Sequence, residues 1–257
     1  MLIALTRQVS PRMVDCELTH LARQPIDVAL ARRQHHAYEV ALQELGCQVV
    51  TLPAEPDLPD SVFVEDVALV LDELAIITRP GADSRKPETA SIANALEPYR
   101  RLDYITTPGT LDGGDILCLG KSIYVGISSR SNRPAIEQLA AFTKPFRYAV
   151  QGVEVSGYLH LKSAVTRVAA ETLLVNRAWI DVSLFEGMGF IDVDTAEPYG
   201  ANALLIGGTI IYPAGYPRTR ERLENAGIPV KAVDVSEIIK AEGAVTCCSL
   251  IFTDFTK

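Results

Sequence analysis

Two side chains able to combine covalent and proton-transfer chemistry, a thiol and an imidazole, occur in short polar motifs of this chain beside apolar runs. Cys247 and Cys248 are adjacent in Gly243-Ala-Val-Thr-Cys-Cys-Ser-Leu250. Alternation along an extended segment sends one thiol inward and the other away, so one cysteine suffices as nucleophile; the spacing leaves open which. His160 stands in Gly157-Tyr-Leu-His-Leu-Lys-Ser163. Glu65 and Asp66 adjoin in Phe63-Val-Glu-Asp-Val-Ala68, where a strand would point them to opposite faces. In Leu111-Asp-Gly-Gly-Asp-Ile116, two glycines between Asp112 and Asp115 let the backbone turn sharply and approach a ligand closely. Taken singly, these motifs read as a core histidine, a solvated strand start and a tight turn. Together they supply a nucleophile, a general acid/base and holders for a cation. His20, His35 and His36 lie in or beside helical sequence, and Cys16, Cys47 and Cys118 read as small packing residues.

The elements that must position these residues are legible. Asp27 caps a helix over 28–45 that ends at Gly46, and further helices start near Pro87, at Pro134, at Pro217 and at Ser236. Between them, apolar runs pair as hairpins: 67–71 with 74–78, 116–119 with 122–125, 164–168 with 172–175, and 203–206 with 209–212. The polar residues that precede the first strands are Asp66, Asp115, Ser163, Asn202 and, in the last unit, Ser249, at steps of 49, 48, 39 and 47 residues. Such a period marks radially repeated units. The expected fold is α/β, five ββαβ-like units with helices outside and hairpins inside, forming one domain over residues 1–257 around a central channel.

Composition excludes several classes. With 48% apolar and 22% charged residues, the 257-residue chain reads as an ordinary globule whose apolar runs are strand-sized, so no membrane span is expected. A net charge of −8 without a basic stripe disfavours nucleic acid. Five cysteines without regular spacing argue against a disulfide framework, and no export signal is evident, so the cytoplasm is the expected compartment. Dinucleotide, nucleoside triphosphate, zinc-protease and serine-hydrolase signatures are absent. Neither a cofactor nor a resident metal is expected. A homodimer is the one self-association left open.

The ordered motifs Phe-Val-Glu-Asp-Val-Ala (63–68), Ile-Thr-Arg-Pro-Gly (77–81), Leu-Asp-Gly-Gly-Asp (111–115), Tyr-Val-Gly-Ile-Ser-Ser-Arg-Ser-Asn (124–132), Leu-His-Leu-Lys-Ser (159–163) and Val-Thr-Cys-Cys-Ser (245–249) resemble the dimethylarginine dimethylaminohydrolase family of guanidino-group-modifying enzymes. The resemblance runs from about Thr6 to Phe252. It implies a five-fold pseudosymmetric α/β propeller of the pentein type. It also implies hydrolysis of a small guanidino substrate, dimethylarginine or monomethylarginine, to citrulline and the methylamine. By this likeness Cys247 is the nucleophile, His160 the general acid/base and Asp112 its supporting acid. Glu65 and Asp66 contact the guanidinium, while Leu18, Asp60, Arg85, Arg130 and the backbone around Ala241 contact the amino acid end. Asp112 stands where some relatives carry Glu, and Ala241 where a larger apolar residue occurs, which bears on substrate preference. Arginine deimination and amidino transfer are the neighbouring chemistries; arginine deiminases usually carry a helical insertion for which this chain has no length. The alternative outside enzymes is a ribosome anti-association propeller, which needs no cysteine–histidine pair.

Overall fold

Runs rich in valine, isoleucine and leucine, bounded by glycine-bearing or acidic turns, pair where their pattern predicts. The computed structural model describes residues 1–155 and 158–255 and contains five three-stranded sheets among them. Gly157, which opens the histidine motif, lies outside the described residues. β1 (Leu2–Arg7) leads through α1 (Val28–Glu44) to the parallel β2 (Gln48–Leu52). β3 (Ala68–Val70) and β4 (Ala75–Ile77) form a hairpin with Ala68 opposite Ile77; α2 (Thr89–Leu96) then crosses to the parallel β5 (Leu102–Tyr104). β6 (Ile116–Leu119), β7 (Ser122–Ile127), α3 (Arg133–Thr143) and β8 (Ala149–Glu154) repeat this pattern. The one-turn α4 (Leu161–Ala164) precedes β9 (Val165–Ala169), β10 (Thr172–Val175) and β11 (Gly189–Asp192). β12 (Leu204–Ile206), β13 (Thr209–Pro213), α5 (Pro217–Asn225) and β14 (Val230–Val233) form the next sheet. After the short α6 (Ser236–Ile239), β15 (Leu250–Thr253) pairs antiparallel with β1, so the two ends of the chain complete the fifth blade. The architecture is the expected five-fold pseudosymmetric α/β propeller.

Local signals account for the element ends. The Asp27 carboxylate accepts the Leu30 N–H at 2.9 Å, and the Asn132 side chain accepts the Ala135 N–H at 3.1 Å, each capping an α-helix. Proline opens α5 at Pro217 and occupies the first turn of α3 at Pro134. The helix expected at Pro87 begins instead as a 3-10 turn, Asp83–Glu88, and becomes α-helical only at Thr89. The short step of 39 residues also has a structural cause: β10 and β11 are joined by a single 3-10 turn, Val182–Leu184, where the other blades use an α-helix. Apolar clusters fill the spaces between sheets and helices; Ile3, Val67, Ile77, Ile92, Leu96 and Phe252 make one of them beneath α2. Truncating a fully buried leucine such as Leu96 to alanine costs about 2–5 kcal/mol. Among the described residues, no helix is long and apolar enough to cross a membrane.

One local expectation is corrected. Glu65 and Asp66 do not alternate along a strand; they lie in a 3-10 turn, Val64–Val67, immediately before β3. Gly113–Asp115 forms an equivalent turn before β6. The repeated polar residue marks a turn that ends where the apolar alternation of the strand begins.

Candidate active site

The two acidic turns pack against each other because the second is glycine. A Cβ on Gly113 would lie 1.9 Å from the Glu65 carbonyl oxygen, and one on Gly114 would lie 2.4 Å from Nδ1 of His160. The close approach these glycines permit is therefore to neighbouring protein atoms. Gly114 N–H donates to Asp66 Oδ1 at 2.9 Å, joining the turns, and Asp112 Oδ1 accepts the Gly81 N–H at 2.9 Å.

His160 has extended backbone just before α4. The next residue is fixed by Asp115, whose Oδ1 accepts the Leu161 N–H at 2.9 Å and whose Oδ2 accepts the hydroxyls of Ser128 and Ser131 at 2.7 and 2.6 Å. The imidazole is thereby held between two carboxylates: Nε2 is 3.1 Å from Asp112 Oδ2, and Nδ1 is 3.9 Å from Asp66 Oδ1. Burial alone favours the neutral ring. The charge of Asp66, the hydrogen bond with Asp112, and the charges of Asp115 and Asp112 outweigh it and raise the His160 pKa to about 9. Burial likewise pushes the Asp66 pKa upward, but His160, Arg85 and the Gly114 amide overcome it and lower the value to about 2.

Cys247 is in the segment between α6 and β15, tied by its N–H to the Ala244 carbonyl at 3.2 Å and by its carbonyl to the Glu65 N–H at 3.1 Å. Its side chain lines the same small cavity as His160, whereas the Cys248 thiol donates to the Ala244 carbonyl at 3.6 Å. Burial pushes the Cys247 thiol well above its ordinary value, and Glu65 and Asp66 add to the shift. The resting pair is thus thiol and imidazolium.

Of the residues expected at the site, Cys247, His160, Asp60, Asp66, Arg85, Arg130 and Ala241 line this one cavity. Asp112 stands behind His160 and 3.8 Å from Arg130 Nη1. Asp60 faces the loop near Leu18, its two oxygens accepting the Glu17 N–H at 3.3 and 3.0 Å. Arg85 donates to Asp66 Oδ2 at 2.5 Å, to both Glu88 oxygens and to the carbonyls of Asp60 and Phe63. Glu65 does not line the cavity; it is ion-paired with Lys162 and accepts the Thr246 hydroxyl at 2.8 Å, beside the nucleophile segment. Leu18 is half-buried, packed against the apolar cluster of Met13, Cys16 and Ile238. His20 is also outside any helix, in the loop after Leu18. The cavity measures about 20 Å³, room for a single water, so a substrate enters only when part of its wall moves.

Sequence reasoning missed Lys162, Thr246 and Glu242, all bound to the site by long-range contacts. Asp66, Asp112 and His160 also present three donor atoms within 4.8 Å of one another, a set able to hold a metal ion. An ion there would have to displace the His160 proton and share Asp66 with Arg85, both electrostatically unfavourable.

Comparison with known proteins agrees with this architecture. The sequence profile of the family described as N,N dimethylarginine dimethylhydrolase, eukaryotic, matches residues 20–183. The N(G),N(G)-dimethylarginine dimethylaminohydrolase of Streptomyces coelicolor is 41% identical over 250 residues, covering 96% of this chain and 95% of that one. A Pseudomonas aeruginosa enzyme of the same name, solved as a cysteine-to-serine variant with citrulline, superposes with a TM-score of 0.91 at 35% identity, covering 97% and 98% of the two chains. A dimethylarginine dimethylaminohydrolase solved as an adduct with S-methyl-L-thiocitrulline superposes with a TM-score of 0.92 at 35% identity, covering 98% and 100%.

Proposed function

The chain belongs to the dimethylarginine dimethylaminohydrolase family, and from that premise we propose that it hydrolyses dimethylarginine or monomethylarginine to citrulline and the methylamine. The reading treats residues 1–257 as one catalytic domain. The observation that carries it is that a buried thiol, Cys247, and a buried imidazole, His160, share one small cavity with the carboxylates of Asp60 and Asp66.

A guanidinium arrives protonated, with a pKa of about 12.5 or higher, and delocalisation makes its carbon a weak electrophile, so a thiolate is required. The bound cation supplies much of the driving force for forming one. A positive charge about 4 Å from sulfur, at an effective dielectric of about 20, favours thiolate by about 4 kcal/mol, roughly three pKa units before desolvation is subtracted. This offsets part of the upward shift that burial, and after it Glu65 and Asp66, impose on Cys247. The thiol proton passes to solvent, since His160 is already protonated, and the thiolate left behind forms a carbon–sulfur bond at the guanidinium carbon. His160, protonated at neutral pH and held by Asp112, gives its proton to the departing amine as the carbon–nitrogen bond breaks. The remaining thiouronium is attacked by water, one of whose protons the now neutral His160 accepts; the thiolate is then expelled, and loss of the second water proton to solvent leaves the neutral ureido group of citrulline. Asp66 holds the guanidinium plane by charge-assisted bonds, with Asp112 behind it. Asp60, Arg85, Arg130, Leu18 and the backbone at Ala241 receive the amino acid end. Support for a cytoplasmic setting comes from the five free cysteines.

Incubation with dimethylarginine, monomethylarginine and arginine separately, with citrulline and amine both measured, tests the reading. Equal amounts of citrulline and amine from a methylated substrate are expected. Absence of citrulline from all three would overturn it.

A further inference from the structure

The wall that must move is identifiable from its fastenings. The loop around Leu18 is tied at four places: Glu17 N–H to Asp60, the Glu17 carboxylate to the Ser84 hydroxyl at 2.8 Å, the Thr19 hydroxyl to Arg130 Nη2 at 2.8 Å, and the backbone at 19–21 to Glu242. The last is the most extensive. The Glu242 carboxylate accepts the N–H groups of Thr19, His20 and Leu21 at 2.9, 2.6 and 2.5 Å, gathering three successive amides on one anion.

Two further features set Glu242 apart. Its φ is +58°, a left-handed conformation that at helix ends normally selects glycine or asparagine, so a long charged side chain there runs against local preference. It also lies between Ala241 and Gly243 in the wall of the small site, and all three residues line that cavity. Glu242 and Gly243, with Leu159, also line a neighbouring cavity of about 290 Å³ whose wall includes His20, Leu21 and Gln24 of the loop. One loop therefore borders both spaces.

We propose that Glu242 is the latch of this loop, a positioning residue that holds residues 19–21 closed over the site and so controls substrate retention. The consequence for turnover rests on the hydrolase reading above. The division of labour follows from the partners. Asp60 and Arg130, two of the other three fastenings, are the residues to which the reading assigns the amino acid end of the substrate, and the third, from Ser84, reaches only Glu17. Glu242 holds only the loop, so its grip persists when Asp60 and Arg130 engage the ligand. Release of Glu242 frees three adjacent amides at once, which makes opening cooperative over the segment.

Glu242→Gly removes the carboxylate and suits the left-handed backbone; Glu242→Gln keeps the length and one acceptor oxygen. Amide hydrogen exchange across residues 17–21 is measured first, since it does not depend on the substrate being identified correctly. Exchange is expected to accelerate about ten- to hundredfold in Glu242→Gly and by less in Glu242→Gln. For dimethylarginine, KM is expected to rise about tenfold in Glu242→Gly with kcat changed less than about threefold, since the chemistry is untouched. Unchanged exchange in Glu242→Gly, or in Glu242→Gln should the first variant not fold, overturns the latch. Faster exchange with no citrulline from the wild type would instead leave the latch standing and overturn the activity.

Discussion

Nε2 of His160 lies 3.1 Å from Asp112 Oδ2, and the opposite ring nitrogen faces Asp66, so the imidazole is clamped between two carboxylates that both favour its proton. That arrangement makes His160 an acid at neutral pH and ties its charge to the stability of the fold.

The folded-state pKa of about 9 exceeds the unfolded value of 6.5, so the protonated ring binds the folded form preferentially. Its contribution is fully present below pH 6.5 and disappears as the pH rises through about 9; it amounts to roughly 3 kcal/mol. The depressed Asp66 pKa is partly the other side of the same interaction and is not added. Thermal melting from pH 6 to pH 10 should show the wild type losing this increment, and His160→Asn should show a flatter profile over that range. Equal slopes would contradict the assignment of the proton.

Cys247 is held as a thiol by burial and by the charges of Glu65 and Asp66, so a cation in the site should raise its thiolate fraction. An unreactive amidinium ligand that leaves the sulfur accessible should accelerate alkylation of Cys247 at pH 7 by about tenfold or more. Slower or unchanged alkylation with ligand bound would remove the cation from the mechanism.

Glu65 is largely shielded from solvent, and Lys162 is its ionic partner. Lys162→Met should destabilise the protein by about 3–5 kcal/mol at pH 7 by leaving that carboxylate unpaired. Burial already raises the Glu65 pKa, and removing Lys162 raises it further; acid protonates the group, so the loss should shrink as the pH falls. Adding Glu65→Gln should restore much of the stability. Denaturant unfolding of the single and double variants decides it, and additive losses would argue against the pairing.

Local order was legible where it depends on near neighbours. Asp27 before α1, Asn132 and Pro134 at α3 and the paired apolar runs all predict elements that form. The repeat located the acids, the histidine and the cysteine pair in one channel, because equivalent turns of each blade face the same axis. Alternation could not distinguish a single 3-10 turn at Val64–Val67 from the start of a strand, since two residues have no period. The partners of Glu65 were invisible for another reason: Lys162 and Thr246 are 97 and 181 residues away in sequence, and only the closed ring brings them together. Glu242 carried no periodic signal, and its left-handed backbone is a property of the folded chain.

In the proposed reaction Cys247, and not its neighbour, is the nucleophile. Citrulline release from dimethylarginine by Cys247→Ser and Cys248→Ser, each compared with wild type and checked for folding, tests it directly. Loss of citrulline is expected in Cys247→Ser and retained release in Cys248→Ser, since the Cys248 thiol is directed to the Ala244 carbonyl. Retained activity in folded Cys247→Ser would contradict it.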